Sequence, residues 1–213
     1  MTTQLIDQLT HRPVEPSTSR LVVLISGNGS NLQAILDACA SGELNAKVAA
    51  VISNKSDAFG LERARQANVP AIAKPKLKAQ DRREYDAELA DLVAAYQPDW
   101  IVLAGWMRVL SSAFLDHFSN RVINLHPALP GAFPGTHAID RAYEAYRRGE
   151  IDHTGVMVHL VPDEGVDSGP VLAQEVVPIQ PGDTLELLEE KIHAVEHRLL
   201  VNTLKVHCAL RVT

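Results

Sequence analysis

The sequence predicts an α/β fold: a mostly parallel, doubly wound sheet with helices on both faces and an antiparallel addition near its end. Three observations carry this. Strand-length apolar runs alternate with helix-length amphipathic stretches through the first two-thirds of the 213 residues. The early runs are apolar throughout, as strands covered on both faces must be. Two later runs, "GVMVHLVP" (155–162) and "VLAQEVVPI" (171–179), are separated only by the turn-rich "DEGVDSG", which suits an antiparallel pair.

The elements follow in order. "LVVLIS" (Leu21 to Ser26) is a buried strand that runs into a glycine loop. "NLQAILDACA" is helical, with Leu32, Ile35, Leu36 and Cys39 on one side. "KVAAVIS" (Lys47 to Ser53) is a second strand, Asp57 to Ala67 a second helix with Asp57 as its N-cap, and "PAIA" a short strand beginning at Pro70. Asp81 to Tyr96 reads as an amphipathic helix, Asp99 to Gly105 as a buried strand, "SSAFLDHF" as a short helix and "RVINLHP" as a further strand. His137 to Glu150 is helical and ends near Gly149. After the two late strands a helix spans about Thr184 to Leu204, and "KVHCALRV" is expected as a terminal strand. Residues 1–20, rich in Pro, Ser and Thr, are expected as a flexible tail, and 21–213 as a single domain.

Composition narrows the function. The net charge of −6 and the 5% aromatic content argue against a nucleic-acid surface or a base-stacking platform. No apolar run approaches the roughly 18 residues of a membrane span. The first segment lacks the apolar core of a secretory signal, and two distant cysteines, Cys39 and Cys208, read as reduced thiols, so a cytoplasmic enzyme is expected.

In a doubly wound sheet, ligands sit beyond the carboxyl ends of the strands. "SGNGSN", "GWMRVL" and "NLHP" all fall there. In "GNGSN", Gly27 and Gly29 permit a tight turn, and the helix that follows offers outward N–H groups to an anion. A dinucleotide site would want a third glycine where Leu32 stands and an acid after "VISNK"; a triphosphate loop would want a lysine. A single phosphate monoester fits best, against the alternative of a plain turn.

Asn124 and His126 lie two apart in a strand, so they share a face, and Pro127 places both at its carboxyl edge. Asp167, in a glycine-flanked loop, is available as a partner that would raise the histidine pKa. An amide beside an imidazolium can stabilise an oxyanion. No motif places a hydroxyl or thiol nucleophile, so the substrate is expected to bring its own. The nine histidines form no HxxxH pair on a helix and no cluster with cysteine, so no metal is expected.

"VLISGNGSNLQAILDA", "VISNKSDAFGLERARQA", "VLAGWMRVLSSAFL", "INLHPALPGAFPGTHA" and "GVDSGPVLAQEVVPI" together resemble the phosphoribosylglycinamide formyltransferase family over about residues 21 to 204. The resemblance implies a Rossmann-like formyltransferase fold with a mixed sheet of about seven strands. It also implies transfer of the formyl group of 10-formyltetrahydrofolate, as co-substrate, to the amine of glycinamide ribonucleotide in purine biosynthesis. By the same resemblance Gly29, Ser30 and Asn31 hold the substrate phosphate, and Asn124, His126 and Asp167 form the catalytic trio. Met107, Arg108, Val109 and Leu110, with Asn124, line the folate site, and Arg83 meets the folate tail across a one-residue gap in the alignment. Glu196 and the neighbouring His193 contact the nucleotide. Many relatives read "HPSLLP" where this chain has "HPALPG".

The expected partners are therefore these two small molecules, with no nucleic acid and no membrane, and with the protein as a monomer or homodimer. Two rivals share the chemistry: 10-formyltetrahydrofolate hydrolysis, and formyl transfer to another amine such as methionyl-tRNA. A third, a non-catalytic nucleotide-binding module, fits poorly with an intact Asn124–His126–Asp167 set.

Overall fold

The structure, a computed structural model, describes residues 18–209. It contains one seven-stranded sheet in the order β3-β2-β1-β4-β5-β6-β7. The strands are β1 (Ser19–Ile25), β2 (Ala46–Ser53), β3 (Ala71–Ala73), β4 (Trp100–Leu103), β5 (Val122–His126), β6 (His153–Leu160) and β7 (Val171–Pro178). The pairings from β3 through to β5 are parallel, and β6 is antiparallel to both β5 and β7, so β6 alone runs against the rest.

The continuous apolar runs have the expected cause. In β1, Leu21, Val23 and Ile25 enter one core and Val22 and Leu24 the other, all with no exposed surface. Burying one such side chain contributes roughly 1.5–3 kcal/mol. The first face is covered by α1 (Ser30–Ala40), α2 (Phe59–Gln66), α5 (Ala138–Arg147) and α6 (Leu185–Ala209), and the second by α3 (Arg82–Ala94) and α4 (Ser112–Leu115). The chain winds outward from β1 in one direction through β2 and β3, and in the other from β4 onward. The order therefore reverses between β1 and β4, and the crevice at such a switch point is where open α/β sheets bind ligands.

Several elements depart from the sequence reading. β1 begins at Ser19, whose partner in β2 is Ala46, two residues before the expected start; residues 1–17 lie outside the described residues. Asp57 does not cap α2: the capping position is Ala58, whose methyl group cannot accept a hydrogen bond. Asp81, by contrast, caps α3 by accepting from the N–H groups of Arg83 (2.7 Å) and Glu84 (3.2 Å). The short helix after β4 is split into α4 and a 3-10 turn, Asp116–Phe118. The expected terminal strand is not formed: α6 continues to Ala209, and the rest of that segment lies outside the described residues. Val206, Cys208 and Leu210 alternate like a strand, but Leu200, Leu204 and Cys208 are also spaced four apart. The helical period prevails because those three pack against the first core.

Candidate active site

β5 carries Asn124 and His126 to its carboxyl edge, and the loop between β6 and β7 returns Asp167 to them. Asn124 donates through Nδ2 to Asp167 Oδ1 at 3.0 Å. His126 Nδ1 lies 3.3 Å from Asp167 Oδ2, and the Gly135 N–H donates to that same oxygen at 2.7 Å. The other ring nitrogen, Nε2, faces the Phe133 carbonyl at 3.1 Å. His126 is 4% exposed. The trio expected from sequence is thus brought together, in a backbone that is locally strained: Phe133 (φ 47°) and Asp167 (φ 50°) both occupy the left-handed region. That conformation costs an L residue about 1–2 kcal/mol and persists where its surroundings over-determine it.

The electrostatics correct one expectation. Burial pushes the His126 imidazole below its ordinary pKa, with Asp167 and the Phe133 carbonyl opposing, and His159 and Arg141 adding to the fall. The carboxylate acts in the direction expected from the sequence, but desolvation of a nearly enclosed ring outweighs it. At Asp167 burial pushes the carboxyl up, yet His159, the Gly135 N–H and His126 together hold it below the usual carboxylate value. The pair in the free protein is therefore an ionised carboxylate beside a ring poised toward neutrality. Both ring nitrogens face acceptors, so only the protonated ring satisfies Asp167 and Phe133 at once.

His159 belongs to this cluster and escaped the sequence reading. It lies directly opposite Asn124 across the β5–β6 ladder, 1% exposed, with Nε2 3.1 Å from Asn124 Nδ2 and 3.6 Å from Asp167 Oδ1. Its Nδ1 sits 2.8 Å from the Leu160 carbonyl, which fixes the ring. The signal was available in principle: pairing "INLH" antiparallel with "MVHL" sets the amide opposite the imidazole.

The trio lines a cavity of about 240 Å³, whose other wall is the segment after β4, including Met107, Arg108, Val109 and Leu110. Met107 and Val109 leave 60% and 41% of their surface exposed, unusual for apolar residues beside a buried polar cluster. Arg108 stacks over the Tyr85 ring, 5.0 Å from its centroid. The Met107 N–H donates to Ser26 Oγ at 2.8 Å, so this wall is tied to the end of β1 where the glycine loop begins.

Gly29 caps α1 at φ 77°. A Cβ there would stand 2.8 Å from the Gly60 Cα, so the glycine is required by close packing on the start of α2 as well as by its backbone angle. Arg63 braces the loop from α2 by donating to the Asn28 carbonyl (2.9 Å) and side chain (3.0 Å). The first intrahelical bond of α1 is Gln33 N–H to the Gly29 carbonyl, which leaves the preceding N–H groups, those of Ser30 and Asn31 included, at the anion-favouring end. Asn31 Nδ2 donates to Glu196 Oε2 at 3.2 Å, joining α1 to α6. Glu196 is 6% exposed; burial pushes its carboxyl up, against the Asn31 hydrogen bond and the charge of His193. His193, one turn earlier on α6, is exposed.

Arg83 is not brought to the cavity: it is exposed on α3 and does not line it. Its neighbour Arg82, about 100° around the helix, turns instead to the Asp167 loop and donates to Glu164 Oε2 at 3.0 Å. Among the described residues no group of three or more His, Cys, Asp or Glu could hold a metal ion, and no helix is long and apolar enough to cross a membrane.

Comparison with known proteins agrees with this geometry. The formyl transferase family model matches residues 19–204. Phosphoribosylglycinamide formyltransferase of Schizosaccharomyces pombe is 50% identical over 197 residues, covering 86% of this chain and 94% of that protein. The Dictyostelium discoideum protein of the same name is 46% identical over 202 residues, covering 89% and 98%. The crystal structure of glycinamide ribonucleotide transformylase 1 from Symbiobacterium toebii superposes with a TM-score of 0.84 at 43% identity, covering 90% of this chain and 88% of that one. The chain belongs to the formyl transferase family.

Proposed function

We propose that this protein transfers the formyl group of 10-formyltetrahydrofolate to the amine of 5'-phosphoribosylglycinamide, a step of de novo purine biosynthesis. The observation that carries the reading is the convergence of Asn124, His126 and Asp167 on a cavity walled by Met107 to Leu110, beside a glycine loop that opens a helix. A flat pterin would cover the exposed faces of Met107 and Val109. The ribonucleotide phosphate would take the first-turn N–H groups from Gly29 to Asn31, and Glu196 with His193 would hold the rest of the nucleotide. Asn31 Oδ1, Trp106 Nε1 and Arg108 Nε are buried with no protein partner, which suits polar ligands on both sides of the switch point. For the tail of the folate, Arg83 is exposed on α3 beside Arg82, whose guanidinium is already held by Glu164.

The reaction exchanges one bond for another. The amine nitrogen bonds to the formyl carbon, the bond from that carbon to folate N10 breaks, and the proton lost by the amine ends on N10. Asn124 Nδ2, which also faces His159, and His126 Nε2, which also faces the Phe133 carbonyl, each share a hydrogen bond with the oxygen as it gains negative charge. That charge, arriving beside a ring already facing Asp167, favours protonation of His126 at the moment the proton is useful. Asp167 orients the ring and, through water, takes up the amine's proton and passes it to His126 Nδ1, 3.3 Å away. His126 then delivers a proton to N10. Holding the two substrates in line contributes a proximity term that needs no further chemistry from the protein.

The test is to follow loss of 10-formyl folate by the purified protein with and without glycinamide ribonucleotide. Loss only with the ribonucleotide, matched by formylated product, is expected. Loss in water alone would identify a hydrolase, and transfer to methionyl-tRNA in preference to the ribonucleotide would identify a different acceptor.

A further inference from the structure

One guanidinium stands behind the catalytic histidine. The Phe133 carbonyl that faces His126 Nε2 also accepts from Arg141 NH2 at 2.7 Å, and the same nitrogen donates to the Pro134 carbonyl at 2.7 Å. Arg141 Nε reaches the His137 carbonyl at 3.3 Å. The next amide along, Gly135 N–H, is the donor that holds Asp167 Oδ2. A closed ring results: His126 to Phe133, along the backbone to Gly135, across to Asp167, and back to His126. Arg141 lies outside this ring and does not line the cavity.

We infer that Arg141 is a positioning residue for the proposed formyl transfer: by clamping the Phe133 and Pro134 carbonyls it sets the turn that aims both His126 and Asp167. The turn needs such a clamp. Phe133 and Gly135 both hold positive φ, 47° and 81°, and a bulky aromatic residue does not adopt that angle unaided. The helix that follows receives no side-chain cap from His137, so α5 restrains the turn through Arg141. One nitrogen of the rigid guanidinium plane donates to both carbonyls while its Nε reaches the His137 carbonyl, which fixes the plane; an ammonium lacks that second anchor and holds the pair less rigidly. The charged and titratable groups facing His126 are Asp167 from the β6–β7 loop, His159 from β6 and Arg141 from α5.

This inference rests on the proposed function, and its test separates the two. Arg141→Lys keeps the positive charge near His126 and loses the fork, so any change in the ring comes from the turn. The expected result has two parts. The kcat falls at least about tenfold while KM for both substrates stays within about twofold, since misplacement rather than lost binding is at issue. In the free protein, NMR titration of His126 moves to lower pH, because the ring loses its carbonyl acceptor and its alignment with Asp167. Arg141→Ala should show the same kcat loss, partly recovered by a sub-denaturing guanidinium salt. Unchanged kcat, or an unchanged His126 titration, or a rate loss that only follows the folded fraction, overturns the assignment. If the parent protein forms no formylglycinamide ribonucleotide while the His126 titration still moves in Arg141→Lys, the positioning of the ring stands and the proposed function falls instead.

Discussion

Replacing Asp167 by Asn tests the pairing of charge and geometry at the centre of the site. The substitution keeps size and removes the charge. The carboxylate accepts from Asn124 Nδ2 on one oxygen (3.0 Å) and from Gly135 N–H on the other (2.7 Å). An amide offers only one acceptor, so its NH2 must face one of these donors. Leaving one buried donor unpaired costs about 1–3 kcal/mol of stability. At the 3.3 Å separation from His126 Nδ1, the attraction lost from the protonated ring is about 5 kcal/mol at an effective dielectric of about 20, before the desolvation that offsets it. His126, already pushed down by burial, loses its main opposing influence, so its pKa must fall further. With no carboxylate to stabilise the imidazolium as it forms during the reaction, kcat should fall by about 10²–10⁴-fold, the usual worth of a positioned acid. Steady-state kinetics with both substrates and NMR titration of His126 in each protein are the assays. A kcat within threefold of the parent, or a His126 pKa that is unchanged or higher, would refute the reasoning.

Three further outcomes are expected. His126→Ala should lower turnover by at least about a hundredfold with folate binding retained, read by single-turnover kinetics and equilibrium binding; near-normal turnover would remove the histidine from the chemistry. Gly29→Val places a branched side chain where the Gly60 backbone stands and where φ is 77°; it should destabilise the fold by about 2–4 kcal/mol and raise KM for the ribonucleotide more than KM for the folate, and an equal rise in both would mean general damage. Glu196 has a folded pKa raised by burial, so between its ordinary 4.5 and that higher value the native state holds a proton the unfolded chain has lost, and stability falls as pH rises through the window. Glu196→Gln should therefore raise the melting temperature above that window and flatten its pH dependence there, while weakening ribonucleotide binding; a melting temperature lower than the parent's at pH 8 would contradict this.

The strands of the sheet and the ends of its loops were legible because they answer to local rules. A run such as "LVVLIS" has to be covered on both faces, and a glycine loop followed by helical spacing has to lie at the carboxyl edge. Asn124 and His126 were legible for the same reason: period two puts them on one face and proline stops the strand. What escaped depends on pairing and rotation across distance. His159 sits inside the apolar run "GVMVHLVP" and reads as core until the β5–β6 register sets it against Asn124. Arg82 and Arg83 differ by one helical step, which sequence alone does not orient, and the earlier one makes the hydrogen bond to Glu164 of the Asp167 loop. The direction of the His126 pKa needed a balance between burial and charge, and burial is a property of the assembled site. The continuation of α6 past Leu204 turned on which of two periods in the same residues would find a core to pack against.

In the proposed mechanism His126 and Asp167 act as one unit in formyl transfer to glycinamide ribonucleotide. The most direct measurement is kcat/KM for that transfer in His126→Ala, Asp167→Ala and the double variant, since groups that work as a unit are non-additive. The double variant is expected to lie within about tenfold of the weaker single one. Losses that multiply, as for two independent sites, would contradict the mechanism.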